Sequence, residues 1–171
     1  NAALAAAEAG EDAFVDAILS GQPEPPLYFA RMKRDNRDGV PLLGSLPRPR
    51  RLTPDDLGDL PDDHIVIDTR ADREAFMAHH LPGSLYAPLD RSFNTAVGSV
   101  VEDETAPLVL IVDEAHVETA VRDLVRIGYD RIAAYATPEV FTAYVQDGGE
   151  TASIETLSFD ALARRRAEPN A

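Results

Sequence analysis

The chain has no cysteine. That excludes disulfides, thiolate metal sites and every mechanism needing a sulfur nucleophile on this polypeptide. It also lacks a long apolar run, the longest being Pro107-Leu108-Val109-Leu110-Ile111-Val112. A membrane span needs about 18 or more such residues, so none is expected. No charged start followed by an apolar middle marks a secretory signal, which points to the cytoplasm. Neither Gly-x-x-x-x-Gly-Lys-Ser/Thr nor Gly-x-Gly-x-x-Gly occurs, so phosphate-cradling loops are excluded. Lysine is nearly absent too. Its single copy, Lys33, lies outside the strand pattern, whereas a phosphoacceptor receiver domain needs one on a late strand.

What is present is acidic. Against 30 Asp and Glu stand 16 Lys and Arg, a net charge of −14 over 171 residues. Such a surface repels phosphate backbones and anionic lipid, so neither nucleic acid nor a membrane is expected as a partner. A 44% hydrophobic content supplies a core. The length suits one domain with additional material. Fifteen arginines against one lysine, with abundant alanine, are compatible with a GC-rich bacterial genome. The chain opens on Asn1 without an initiator Met, as a piece of something longer would.

Charge divides the chain. Residues 1–26 carry only acids, residues 27–51 are net basic, and the remainder is strongly acidic. A basic connector between acidic blocks most simply docks on an acidic face of its own protein. Residues 1–20 read as a helix, with Phe14/Ile18 and Val15/Leu19 spaced i, i+4 and Ser20-Gly21 as the stop. Residues 21–50 read as a Pro-rich basic linker, with a short helix over Leu27–Arg34 pinned by Tyr28, Phe29 and Met32. From residue 51 to 150, strands and helices alternate. Thr53-Pro54-Asp55-Asp56 starts a helix, His64–Asp68 is a strand and Ala71–His80 a helix stopped by Leu81-Pro82-Gly83. Ser84–Pro88 is a short strand, Leu108–Val112 a buried central one and Arg131–Ala136 the next. Val117, Ala120, Val121, Leu124 and Val125 mark one helix and Pro138–Gln146 another. This rhythm predicts an α/β fold with a central parallel sheet.

In such sheets ligands bind beyond the carboxyl ends of the strands. Two ends carry polar chemistry: Asp68-Thr69-Arg70 and Asp113-Glu114-Ala115-His116. The succession Ile67-Asp68-Thr69-Arg70, His80-Leu81-Pro82-Gly83-Ser84-Leu85, then a buried strand into a loop and helix, resembles a rhodanese domain over about residues 50–136. Active members of that family carry a nucleophilic Cys at the end of the central strand and a Gly and Arg in the loop. The resemblance places those positions on Asp113, His116 and Glu118, and replaces a Gly-Gly after the last strand by Ala136-Thr137. A carboxylate cannot hold a persulfide, and Asp113, Glu114 and Glu118 repel anionic sulfur donors. The resemblance therefore implies an inactive sulfurtransferase site, with no catalytic residue and no cofactor on this chain.

Residues 21–37, Gly-Gln-Pro-Glu-Pro-Pro-Leu-Tyr-Phe-Ala-Arg-Met-Lys-Arg-Asp-Asn-Arg, are similar to the segment joining a metallo-β-lactamase-fold domain to rhodanese modules in persulfide dioxygenase-type fusions. That similarity implies that residues 1–20 close such an upstream domain and that residues 151–171 open a second rhodanese-like module. It also implies iron or zinc in the upstream domain, docking against that domain, and self-association. The His-x-His-x-Asp-His metal cluster of that fold is absent here, histidine occurring only at 64, 79, 80 and 116.

The remaining residues keep more than one reading. Asp113, Glu114 and His116 are helix-start caps, or the donors of a residual metal-assisted hydrolase, or the rim of a small-ligand pocket suited to cations. As a cap, Asp113 is expected to accept hydrogen bonds from its own loop. Asp68 and Arg70 are expected to pair and brace the loop, and His80 and Gly83 to be structural.

Overall fold

The structure is a computed structural model that describes residues 2–20, 22, 24–40 and 42–166, with backbone alone at residues 2–4 and 6. Its centre is a five-stranded, all-parallel sheet. The strands are β1 (Arg50–Arg51), β2 (Ile65–Asp68), β3 (Leu85–Tyr86), β4 (Leu108–Ile111) and β5 (Ile132–Ala136), in spatial order β1-β5-β4-β2-β3. The helices among them are α4 (Pro54–Gly58), α5 (Arg73–Ala78), α6 (Phe93–Val100), α7 (Val117–Arg126) and α8 (Pro138–Gln146).

The unbroken apolar run of β4 follows from its place between β2 and β5, covered on both faces. Leu108 and Leu110 point into one core layer, with Phe93 and Val97 of α6 and Val121 and Leu124 of α7. Val109 and Ile111 point into the other, with Leu57 of α4 and Phe141 and Tyr144 of α8. All four β4 residues are fully buried, and each contributes about 2 kcal/mol by leaving water. This arrangement matches the α/β expectation, and it brings the carboxyl ends of β2 and β4 together.

Four differences from the sequence reading stand out. The helix expected over residues 1–20 is two, α1 (Ala2–Ala9) and α2 (Glu11–Leu19), split at Gly10, whose φ of 127° no helix tolerates. Within residues 21–50 the helix α3 runs Tyr28–Asp38, longer than expected, until Gly39 at φ 82° ends it. Helix α6 has no counterpart in the sequence reading. Its interior Asn94, Thr95, Gly98 and Ser99 are weak helix formers, and the burial of Phe93, Val97 and Val101 at i, i+4, i+8 overrides them. Finally, β1 is a two-arginine edge strand, Arg50 opposite Ala134 and Arg51 opposite Tyr135. Charged residues on an edge discourage pairing with other chains.

Beyond α8 the chain returns to the domain. His80 and Ala152 exchange backbone hydrogen bonds at 3.1 and 2.8 Å, and Ile154 N–H donates to the Met77 carbonyl at 2.8 Å. Helix α9 (Phe159–Arg166) follows.

Candidate functional site

At the carboxyl ends of the strands a cavity of about 340 Å³ opens between Thr69, Ala71, Pro88, Leu89, Asp90, Val112, Asp113 and His116. Thr69 forms its floor, with both its N–H and its Oγ1 donating to the Ile111 carbonyl, at 3.0 and 2.8 Å. These bonds tie the end of β2 to the end of β4. Asp90, which the sequence reading did not single out, forms the wall. The Ser92 N–H and hydroxyl donate to its carboxylate at 2.7 and 2.6 Å, holding it below the usual carboxylate range. Its position two residues beyond the β3 strand expected at Ser84–Pro88 was the available signal.

Beneath the floor lies a buttress. Asp68 is fully buried at the end of β2, and Arg70 clamps it with Nε at 3.0 Å from both oxygens and Nη2 at 2.7 Å. Arg70 Nη2 also donates to the His79 carbonyl at 2.8 Å, and its guanidinium covers the Phe141 ring at 4.7 Å. His80 is buried, stacked on Phe76 at 4.3 Å, with Nδ1–H donating to the Phe76 carbonyl at 2.9 Å. Gly83, at φ 74°, makes the turn that leads from His80 into β3. None of these four lines the cavity. Asp68 and Arg70 sit beside it at the end of β2, whereas Gly83 lines a different cavity, with His64 and Leu81 at the amino-terminal end of the sheet.

The loop after β4 does not assemble the donors that the sequence places there. Asp113 is exposed, and its carboxylate accepts no hydrogen bond from the loop. The expectation that it caps its own loop is therefore corrected: residues 114–116 form a short 3-10 turn closed by backbone alone, the His116 N–H donating to the Asp113 carbonyl at 2.8 Å and the Val117 N–H to the Glu114 carbonyl. The side chain is left free to point at solvent. His116 Nδ1 stands 3.7 Å from Asp113. Glu114 turns the other way, accepting from the Tyr135 hydroxyl at 2.7 Å and facing Arg51 at 3.6 Å. That bond raises the Tyr135 pKa, since the phenol is the donor. Glu118 pairs with Arg122 one turn along α7 at 2.6 Å.

Glu114 thus diverges from Asp113 and His116, which stay together on the cavity rim. Among the described residues no group of three His, Asp or Glu side chains could hold a metal ion, so the residues here do not fit a metal centre. With Asp90 and Asp113 on the rim and His116 as its one base, the cavity opposes anionic donors such as thiosulfate. Thr137, standing where the resemblance calls for a second glycine, caps α8 by accepting from the Val140 N–H at 3.4 Å. Among the described residues no helix is long and apolar enough to cross a membrane.

No protein-family model matches the chain, and no curated protein matches it. Solved structures do. A metallo-β-lactamase from Staphylococcus aureus subsp. aureus COL is 31% identical over a match covering 74% of this chain and 35% of that one, with a TM-score of 0.62. A rhodanese-like domain of an Anabaena protein is 16% identical, covering 56% of this chain and 98% of that one, with a TM-score of 0.44. The polysulfide-sulfur transferase homodimer of Wolinella succinogenes is 19% identical, covering 72% and 85%, with a TM-score of 0.43. Rhodanese-like domains and a metallo-β-lactamase are thus among the structural neighbours. The chain spans 35% of the length of that metallo-β-lactamase.

Proposed function

We propose that the chain is a catalytically inactive rhodanese-like accessory module of a metallo-β-lactamase-fold protein of sulfur metabolism, acting by docking and not by chemistry. The likeness to the staphylococcal metallo-β-lactamase carries this reading. Two features of the chain support it. The strand-end position where a sulfurtransferase needs a thiolate holds an exposed carboxylate. And α2 presents Phe14, Val15, Ile18 and Leu19 at 40–65% exposure, an apolar strip of the kind that marks an interaction surface. Its occupant in this reading is the metallo-β-lactamase-fold body. Any iron or zinc would be held there, in the cytoplasm, and self-association would add to that contact.

The purified chain, incubated with cyanide and either thiosulfate or polysulfide, is expected to form thiocyanate no faster than the reagents alone. Turnover above that background, lost in Asp113→Ala, would overturn the reading.

A further inference from the structure

Helix α3 is seated on the domain by two side chains three residues apart. Tyr28 lies on α6 at Gly98, where a side-chain carbon on the glycine would overlap the tyrosine ring. One turn later Arg31 is 7% exposed, its guanidinium 4.3 Å from the centroid of the Tyr129 ring. Arg31 Nη1 donates to Glu104 at 3.1 Å, and Nη2 donates to the Ile127 carbonyl. Gly128 makes room: its φ is 85°, and a Cβ there would stand 2.8 Å from Arg31 Nε. Arg34 adds a second contact to Glu104 at 3.0 Å.

A solvated spacer gains nothing by burying a guanidinium. Stripping its water is unfavourable unless charge and face are matched, and here Nη1 and Nη2 each find an acceptor and Tyr129 covers the face, while Nε alone has no partner among the described residues. The partners are also fixed independently of α3. The Tyr129 hydroxyl donates to the Val101 carbonyl at 2.6 Å, and Gly128 follows α7 in the left-handed conformation that ends the helix.

We propose that Gly98, Glu104, Gly128 and Tyr129 form a recognition site for a helix bearing Tyr-x-x-Arg, and that α3 is its resident ligand. Residues 28–38 are then a clasp that fixes the direction in which the preceding helices leave the domain. The inference stands on these contacts and holds whatever body those helices meet.

The test uses the full chain. A Tyr28→Ala/Arg31→Met variant keeps the seat and empties it. A labelled peptide of residues 27–39 is expected to bind this variant and to bind the parent, whose seat is filled, far more weakly. The same peptide with Arg31→Lys is expected to bind about tenfold more weakly, because a compact ammonium cannot fork and stack together. Equal binding to variant and parent, or binding to neither, would overturn the proposal. Hydrogen exchange of the parent decides the matter if the variant fails to fold. Amides of residues 32–38 should exchange about tenfold or more slowly than those of residues 42–48. Equal rates would show α3 to be a spacer.

Discussion

Asp113 and Asp68 are both carboxylates at strand ends, and their surroundings give them opposite weights. Asp113 faces solvent, with the His116 Nδ1 at 3.7 Å. Replacing it with alanine should change the unfolding free energy by less than about 0.5 kcal/mol, read from denaturant melts. A larger loss would mean that the side chain supports the loop after all. Asp68 is buried under the cavity floor and neutralises an arginine that is itself only 14% exposed. Asp68→Ala leaves that guanidinium uncompensated and should cost about 3 kcal/mol. The same melts check this, and a loss below that of an ordinary surface substitution would contradict the buttress. Sequence alone revealed the pairing of Asp68 with Arg70, because the two residues are neighbours on one loop. The bond between Glu114 and Tyr135 was not legible, since it joins residues 21 apart through the register of β4 and β5.

At the scale of elements, the start of α4 shows how local chemistry sets a boundary. The Thr53 N–H and hydroxyl both donate to the Asp56 carboxylate at 2.7 Å, and the Asp56 N–H donates back to the Thr53 hydroxyl at 3.3 Å. Arg50 adds a donor at 3.0 Å. The Thr53 bonds, backbone first, hold the Asp56 pKa down from 3.8 to about 2. A depressed carboxylate stabilises the fold above its ordinary pKa, and that contribution disappears as the pH falls through about 2. Thermal melts of Asp56→Asn should therefore depend less on pH than the parent's across this acidic window. An unchanged slope would locate the acid sensitivity elsewhere. Elements with strong local signals were legible: the helix carrying Val117, Ala120, Val121, Leu124 and Val125, and the capped start at Thr53. Those made by tertiary burial were not, α6 and the arginine edge strand among them. In α3 the expected anchors Tyr28 and Met32 do pack on the core, whereas Phe29 is 42% exposed and Arg31 takes its place. A buried arginine could not be anticipated without its partners Glu104 and Tyr129, which lie about a hundred residues or fewer downstream but adjacent in the fold.

For the molecule as a whole, charge and exposure are arranged in blocks. The basic segment docks on the domain's own acidic side, through Arg31 and Arg34 on Glu104. What lies ahead of that segment, α2, keeps its apolar strip uncovered. At the far end, residues 152–154 pair back onto the turn at His80 before α9. The parallel sheet therefore has a strand-end cavity with a carboxylate and no thiol at its rim, and its exposed apolar strip lies on the segment that precedes it. This distribution fits a part that holds or orients another body. The most direct measurement is the intact mass and metal content of the polypeptide produced from its natural reading frame. The account predicts a substantially heavier chain with iron or zinc bound outside the residues described here. A metal-free product beginning at Asn1 would contradict it.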